Sequence, residues 1–119
     1  MLSVNQVLVE LYRAPADVGV RFDFCGTRPT GVISWRGIYA EPALTWDAEG
    51  RTTVAELIAM LEDAIAPGAV FEGYKGGKYT DTGRDSLHVD NYGRYTETEI
   101  HKITFNKWEA VIHTRREGA

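Results

Sequence analysis

Hydrophobic positions along this chain change period several times, and each period predicts an element. Val4, Val7, Leu8 and Leu11 recur at three- and four-residue intervals, the spacing that puts apolar side chains on one face of a helix. Ser3 followed by Gln6 has the form of a capping box, in which the N-cap and N3 side chains satisfy each other's backbone N–H groups. Pro15 stops the pattern, so a helix is predicted over residues 4–13. The period then drops to two. Val18, Val20, Phe22 and Phe24 alternate with Gly19, Arg21, Asp23 and Cys25, as in a strand with one buried face. Residues 26–31, which include Arg28 and Pro29, read as a turn region.

Two further extended pieces, residues 33–38 and 40–46, are separated by Glu41-Pro42. Because proline cannot donate to a central ladder, the second piece is expected at a sheet edge. Thr53 with Glu56 forms another capping box, and Val54, Leu57, Ile58, Leu61 and Ile65 make one apolar stripe until Pro67-Gly68, which predicts a helix over residues 54–65. Leu87 and Val89 mark a strand. Residues 97–105 and 108–114 read as a hairpin across Asn106-Lys107, with Phe105 opposite Trp108, Ile103 opposite Ala110 and His101 opposite Ile112. Its apolar face is expected to meet the second helix. The sum is a single α+β domain over residues 1–119, two helices packed on an antiparallel sheet of about four to six strands.

Bulk composition narrows the function classes. The 119 residues suit one core, and 44% hydrophobic with 25% charged residues argues against a disordered or fibrous chain. No apolar run approaches the roughly 18 residues of a membrane span, and the first residues lack the zones of a signal peptide, so a cytoplasmic location without membrane association is expected. Cys25 is the sole cysteine, which excludes an intrachain disulfide and a thiolate-rich zinc site. A net charge of −4 disfavours general nucleic-acid binding, which depends on clustered cations. A small anionic ligand needs only two or three local cations.

Candidate chemistry concentrates in residues 73–96, which hold four of the six tyrosines and five of the twelve glycines. The run from Gly73 to Thr80 resembles a phosphate loop but fails its spacing: three residues, where the motif needs four, separate Gly73 from Gly77-Lys78, and Tyr79 stands where Ser or Thr is required. What remains is compositional. Gly76 and Gly77 let a backbone approach a ligand closely, Tyr74, Tyr79 and Tyr92 offer stiff amphipathic area, and Lys75, Lys78, Arg84 and Arg94 can pair with anions. Thr80 and Asn91 add polar contacts. The plainer reading makes Gly76-Gly77 and Tyr92-Gly93 hairpin turns. A second cluster places Trp35 and Tyr39 on one strand face and Arg36 on the other. Arg36 can grip a phosphate or carboxylate with two parallel bonds, while Trp35 fits core packing better than ligand contact, since large aromatics usually serve packing.

Catalytic and metal signatures are weak. His88 and Asp90 could share a strand face, with Ser86 one alternating position away, but no credible nucleophile stands in a known order. His101 falls among apolar hairpin partners. Asp81, Asp85 and Asp90 do not follow the calcium-loop spacing. No catalytic residue, metal or cofactor is expected, and Arg115-Arg116 reads as a solvated tail.

The segments "SWRGIYAEPAL", "TVAELIAMLEDAI", "GYKGGKYT" and "VDNYGRYTETEI" together resemble a group of small phage and prophage proteins, over about residues 20–113. The group's Tyr-Lys-Gly-Gly box falls on residues 74–77 and its Asn-Tyr-Gly box on residues 91–93; Asp85-Ser86-Leu87 departs from the group's Asp-Thr-Pro turn. The resemblance implies phage origin, the host bacterial cytoplasm and, by analogy, action against host defence. The leading expectation is a non-enzymatic sponge that sequesters a cyclic nucleotide or ADP-ribose-type signal between residues 74–80, residues 91–96 and Arg36. A homo-oligomer enclosing the ligand is expected with it. Two alternatives stand beside it: a protein-interaction module that inhibits a host defence protein, and a small phosphodiesterase-like hydrolase using His88 and Asp90.

Overall fold

A computed structural model describes residues 2–24, 26–34, 42–66, 71–72, 78–79, 83–90 and 98–116. Both predicted helices form with the expected limits, α1 over Val4–Arg13 and α2 over Val54–Ile65. Each begins with a complete capping box. The Ser3 hydroxyl accepts from the Gln6 N–H while the Gln6 side chain accepts from the Ser3 N–H, and Thr53 and Glu56 repeat the exchange. Val4, Val7, Leu8 and Leu11 of α1 and Val54, Leu57 and Leu61 of α2 are buried, so the apolar stripes read from the sequence are the packed faces.

The strands are β1 (Gly19–Phe22), β2 (Arg28–Ser34), β3 (Pro42–Asp47), β4 (Phe71–Glu72), β5 (Lys78–Tyr79), β6 (His88–Val89), β7 (Thr98–Phe105) and β8 (Glu109–Arg116). Six of them form one sheet in the order β1-β8-β7-β6-β3-β2, and β4 pairs with β5 separately. The fold is α+β as expected, but the sheet is mixed: β1 runs parallel to β8 and β3 parallel to β6. Side-chain alternation records which face of a strand is buried and carries no information about its partner's direction.

The sheet curls until its two edge strands meet. β1 and β2 touch, and the outward polar groups of β1 are occupied: Val20 N–H donates to Thr52 O at 3.0 Å and Phe22 N–H to Thr27 O at 2.9 Å. An edge strand sealed in this way offers no template for pairing with another chain. On the inner side, Phe22 stacks on Phe24 and Phe24 meets Trp46 edge-to-face, both with ring centroids 5.2 Å apart. These rings link β1 to β3 and extend the single core, which gathers Leu44, Leu87, Val89, Ile100, Ile103 and Ile112 with both helices.

Several expectations are corrected. Residues 28–31 are not a turn but the start of β2, which tolerates Pro29 because β2 is an edge strand and its register shifts between Pro29 and Gly31. The piece containing Pro42 is not at the edge; β3 lies between β6 and β2, with Pro42 as its first residue. The β7–β8 hairpin has another register. Phe105 faces Ala110 and Ile103 faces Ile112, because the Asn106 carboxamide oxygen accepts from the Trp108 and Glu109 N–H groups and lengthens the turn. Its tip therefore leaves the core, with Trp108 75% and Phe105 41% exposed. His101 is also exposed rather than apolar-flanked, since the register shift between Ile100 and Lys102 makes it the extra residue of a bulge. That bulge lets Ile100 and Ile103, three positions apart, both reach the core.

Candidate functional site

Where the two sheet edges meet, the turn from β3 to α2 stands open. Gly19, Arg28, Ala48, Glu49, Gly50, Arg51 and Thr53 line a cleft of about 890 Å³, within the roughly 300–1,000 Å³ range of small-molecule sites. Arg28 reaches it from the first position of β2. Its Nη1 donates to Val20 O at 3.4 Å and lies over Gly19, where an added Cβ would come within 3.2 Å of that nitrogen. A side chain at position 19 would have to push the guanidinium back by a few tenths of an ångström. Arg51 enters from the approach to α2 and is exposed. Neither arginine has an ion-pair partner among the described residues. Arg21, by contrast, is held by Glu109 through Nε at 3.0 Å and Nη2 at 3.1 Å. That bond draws the Glu109 carboxyl below its ordinary pKa, with Arg28 adding a smaller electrostatic effect.

The cleft adjoins the N-terminus of α2, yet the helix end has no donor to spare. Val54 N–H donates to Val18 O and Ala55 N–H to Ala16 O, both at 3.0 Å, while Glu56 N–H is taken by the Thr53 hydroxyl. An anion at a helix N-terminus is normally held by such N–H groups. Here the recognition must come from side chains, and Glu49 restricts it further by placing one negative charge on the wall. The arrangement can grip a compact anion through two guanidinium forks.

Of the site residues proposed from sequence, Trp35, Arg36, Tyr39, Tyr74, Lys75, Gly76, Gly77, Thr80, Asn91, Tyr92 and Arg94 lie outside the described residues. Lys78 and Tyr79 form β5, their backbones paired with Glu72 and Phe71, and β4 touches β2, the strand that opens with Arg28. β2 ends at Ser34 opposite Pro42, whereas β6 runs parallel to β3 so that Asp90 heads toward Trp46.

His88 and Asp90 belong to a different environment. His88 is buried directly across from Glu99, and the Asp90 carbonyl accepts from the Trp46 indole. Arg115 is no tail residue: it lies in β8 opposite Glu99 and donates to the Glu99 carboxylate. That bond, above all, holds the Glu99 carboxyl below its ordinary pKa against the opposing effect of burial. Among the described residues no group of three His, Cys, Asp or Glu side chains is placed to hold a metal ion, and no helix is long and apolar enough to cross a membrane.

Sequence reasoning missed Arg28 and Arg51. Arg28 falls in the expected turn region and nothing in the sequence singles out Arg51; the one signal available is Gly19 within an otherwise good strand, which can mark close approach by another group. Comparison with family models, curated proteins and solved structures returns no match.

Proposed function

We propose that this protein is a non-enzymatic binder of a small phosphate-bearing ligand of nucleotide type, acting by sequestration as a phage anti-defence sponge. The observation that carries the binding part is the cleft: two arginines from separate elements, without ion-pair partners among the described residues, on the wall of one polar cavity. In this reading Arg28 and Arg51 hold the anionic group. The Tyr- and Gly-rich segment contributes the ring and further cationic contacts. The anti-defence role rests on the resemblance alone.

Calorimetry with a panel of cyclic dinucleotides and ADP-ribose isomers tests the reading. Arg28→Ala should weaken binding by roughly 1.5–3 kcal/mol, the scale of a hydrogen bond to a charged group, with little change in thermal midpoint. Arg28→Lys should restore only part of the loss, because an ammonium keeps the charge without the fork. Heat changes absent across the whole panel would sink it.

A second reading, a protein-interaction module directed at a host defence protein, is favoured by the hairpin tip. Trp108 is 75% exposed beside Phe105, with Lys107 Nζ 5.5 Å from its ring, and tryptophan is the residue most enriched at interface hot spots. Under that reading Trp108→Ala abolishes capture of the host partner and leaves the calorimetry untouched.

A further inference from the structure

On the sheet face turned away from the helices, β7, β8 and the residue just after β1 bring together a hydroxyl, an imidazole and a carboxylate that take no part in the cleft. Thr104 Oγ1 lies 2.7 Å from His113 Nε2. The other ring nitrogen, Nδ1, faces Asp23 Oδ2 at 3.9 Å. Asp23 is itself fixed, its carboxylate accepting from the Thr114 N–H at 3.0 Å and the Thr114 hydroxyl at 2.7 Å. Register accounts for the cluster. Thr104 pairs with Val111 and Lys102 with His113 on the antiparallel strands β7 and β8, so Thr104 and His113 are diagonal neighbours on one face. Asp23 follows the last residue of β1, whose partner on β8 is Ile112.

A hydroxyl within hydrogen-bond reach of a base that is oriented by a third group is the general signature of an activated nucleophile. We propose that Thr104 is such a nucleophile, with His113 as its general base and Asp23 as the positioning residue, and that it accepts an acyl group from an activated carboxylic ester. A carboxylate beside Nδ1 favours the tautomer protonated there, which leaves Nε2 free to accept the Thr104 proton. As Oγ1 bonds to the acyl carbon, its proton passes to Nε2 and the carbonyl electrons move onto oxygen. When the carbonyl re-forms, the ester C–O bond breaks and the leaving group takes that electron pair. His113 then returns its proton to the leaving group or to water. Lys102, exposed and directly across from His113, brings positive charge to the side where the oxyanion develops. The product is an O-acyl threonine, and no hydrolysis of it is implied. Asp23 lies four residues beyond Gly19 along the chain, about 13 Å for extended backbone, so the proposal stands apart from ligand binding in the cleft.

The probe is p-nitrophenyl acetate, applied to the full chain and followed by nitrophenolate release and peptide mass mapping. One acetyl group on Thr104 is expected, forming about 100-fold faster than in His113→Gln, at the lower end of the range for general-base assistance. Thr104→Ser should still be modified at position 104 and Thr104→Val should not. In Asp23→Asn acetylation of Thr104 should slow about 10-fold or more, since an amide no longer selects the tautomer that leaves Nε2 free, and Asp23→Glu should recover part of that rate. A purely structural Asp23 would leave the rate of the folded variant unchanged. Acetylation confined to lysines or to His113 itself would overturn the proposal. So would a Thr104 adduct forming at an unchanged rate in His113→Gln. Should His113→Gln fail to fold, the serine and valine variants at position 104 still decide whether that hydroxyl is the acceptor.

Discussion

The N-termini of α1 and α2 are built from the same parts and open onto different surroundings. Each has a capping box that consumes the N3 donor. At each, the two preceding N–H groups donate to carbonyls of a neighbouring segment: Val4 and Asn5 to Asp85 and Gly83 at α1, Val54 and Ala55 to Val18 and Ala16 at α2. The segment against α1 includes Gly83, which is buried with φ at +80°. Beside α2 the same saturation borders an open cavity with two arginines on its wall. The contrast teaches that a helix end next to a cavity is not by itself an anion site. Once its donors are spent, the charge must come from side chains carried in by other elements.

The largest effect that would break this comparison is at the α1 end. Gly83→Ala forces a left-handed residue to carry a Cβ only 2.6 Å from Asn5 Oδ1, so a loss of roughly 2–3 kcal/mol is expected, measured by denaturant titration. An unchanged midpoint would mean that the segment does not clamp α1. Arg115→Ala instead tests the ion pair that ties β8 to β7. Glu99 has a depressed pKa, so its contribution to stability is present above the ordinary carboxylate range and disappears as pH falls through the lowered value. The variant should lose about 1–2 kcal/mol near neutrality, given that Arg115 is partly screened by solvent, and should show a shallower decline in acid. Smallest are the caps. Ser3→Ala and Thr53→Ala should each cost about 1 kcal/mol by the same titration, and Ser3→Ala should leave anion affinity in the cleft intact, because α1 contributes nothing to its lining.

The parts of the fold legible in the sequence are those decided within one turn or one strand. Ser3, Gln6, Thr53 and Glu56 announced both helix starts, and alternation from Val18 to Phe24 announced β1. What escaped was set mostly by partners distant in the chain, the local exception being the turn closed by the Asn106 carboxamide. The bulge at His101 and the Asn106 turn moved the β7–β8 register, and through it the placement of Phe105 and Trp108. Pro29 sits in a strand because that strand is an edge. The candidate cleft was illegible for the same reason: Gly19, Arg28 and Arg51 come together only because β1 and β2, the two ends of the sheet order, curl into contact. The Thr104, His113 and Asp23 cluster likewise needs both the shifted hairpin register and the parallel placement of β1 beside β8.

By itself the chain determined its class, its two helices and which of their faces are buried, since helical spacing and capping are satisfied by residues no more than a few positions apart. Tertiary structure alone decided strand direction, the meeting of the sheet edges and which cations stand on a cavity wall. Those outcomes depend on long-range pairing, and a side-chain period of two is the same whichever partner a strand finds and whichever way that partner runs.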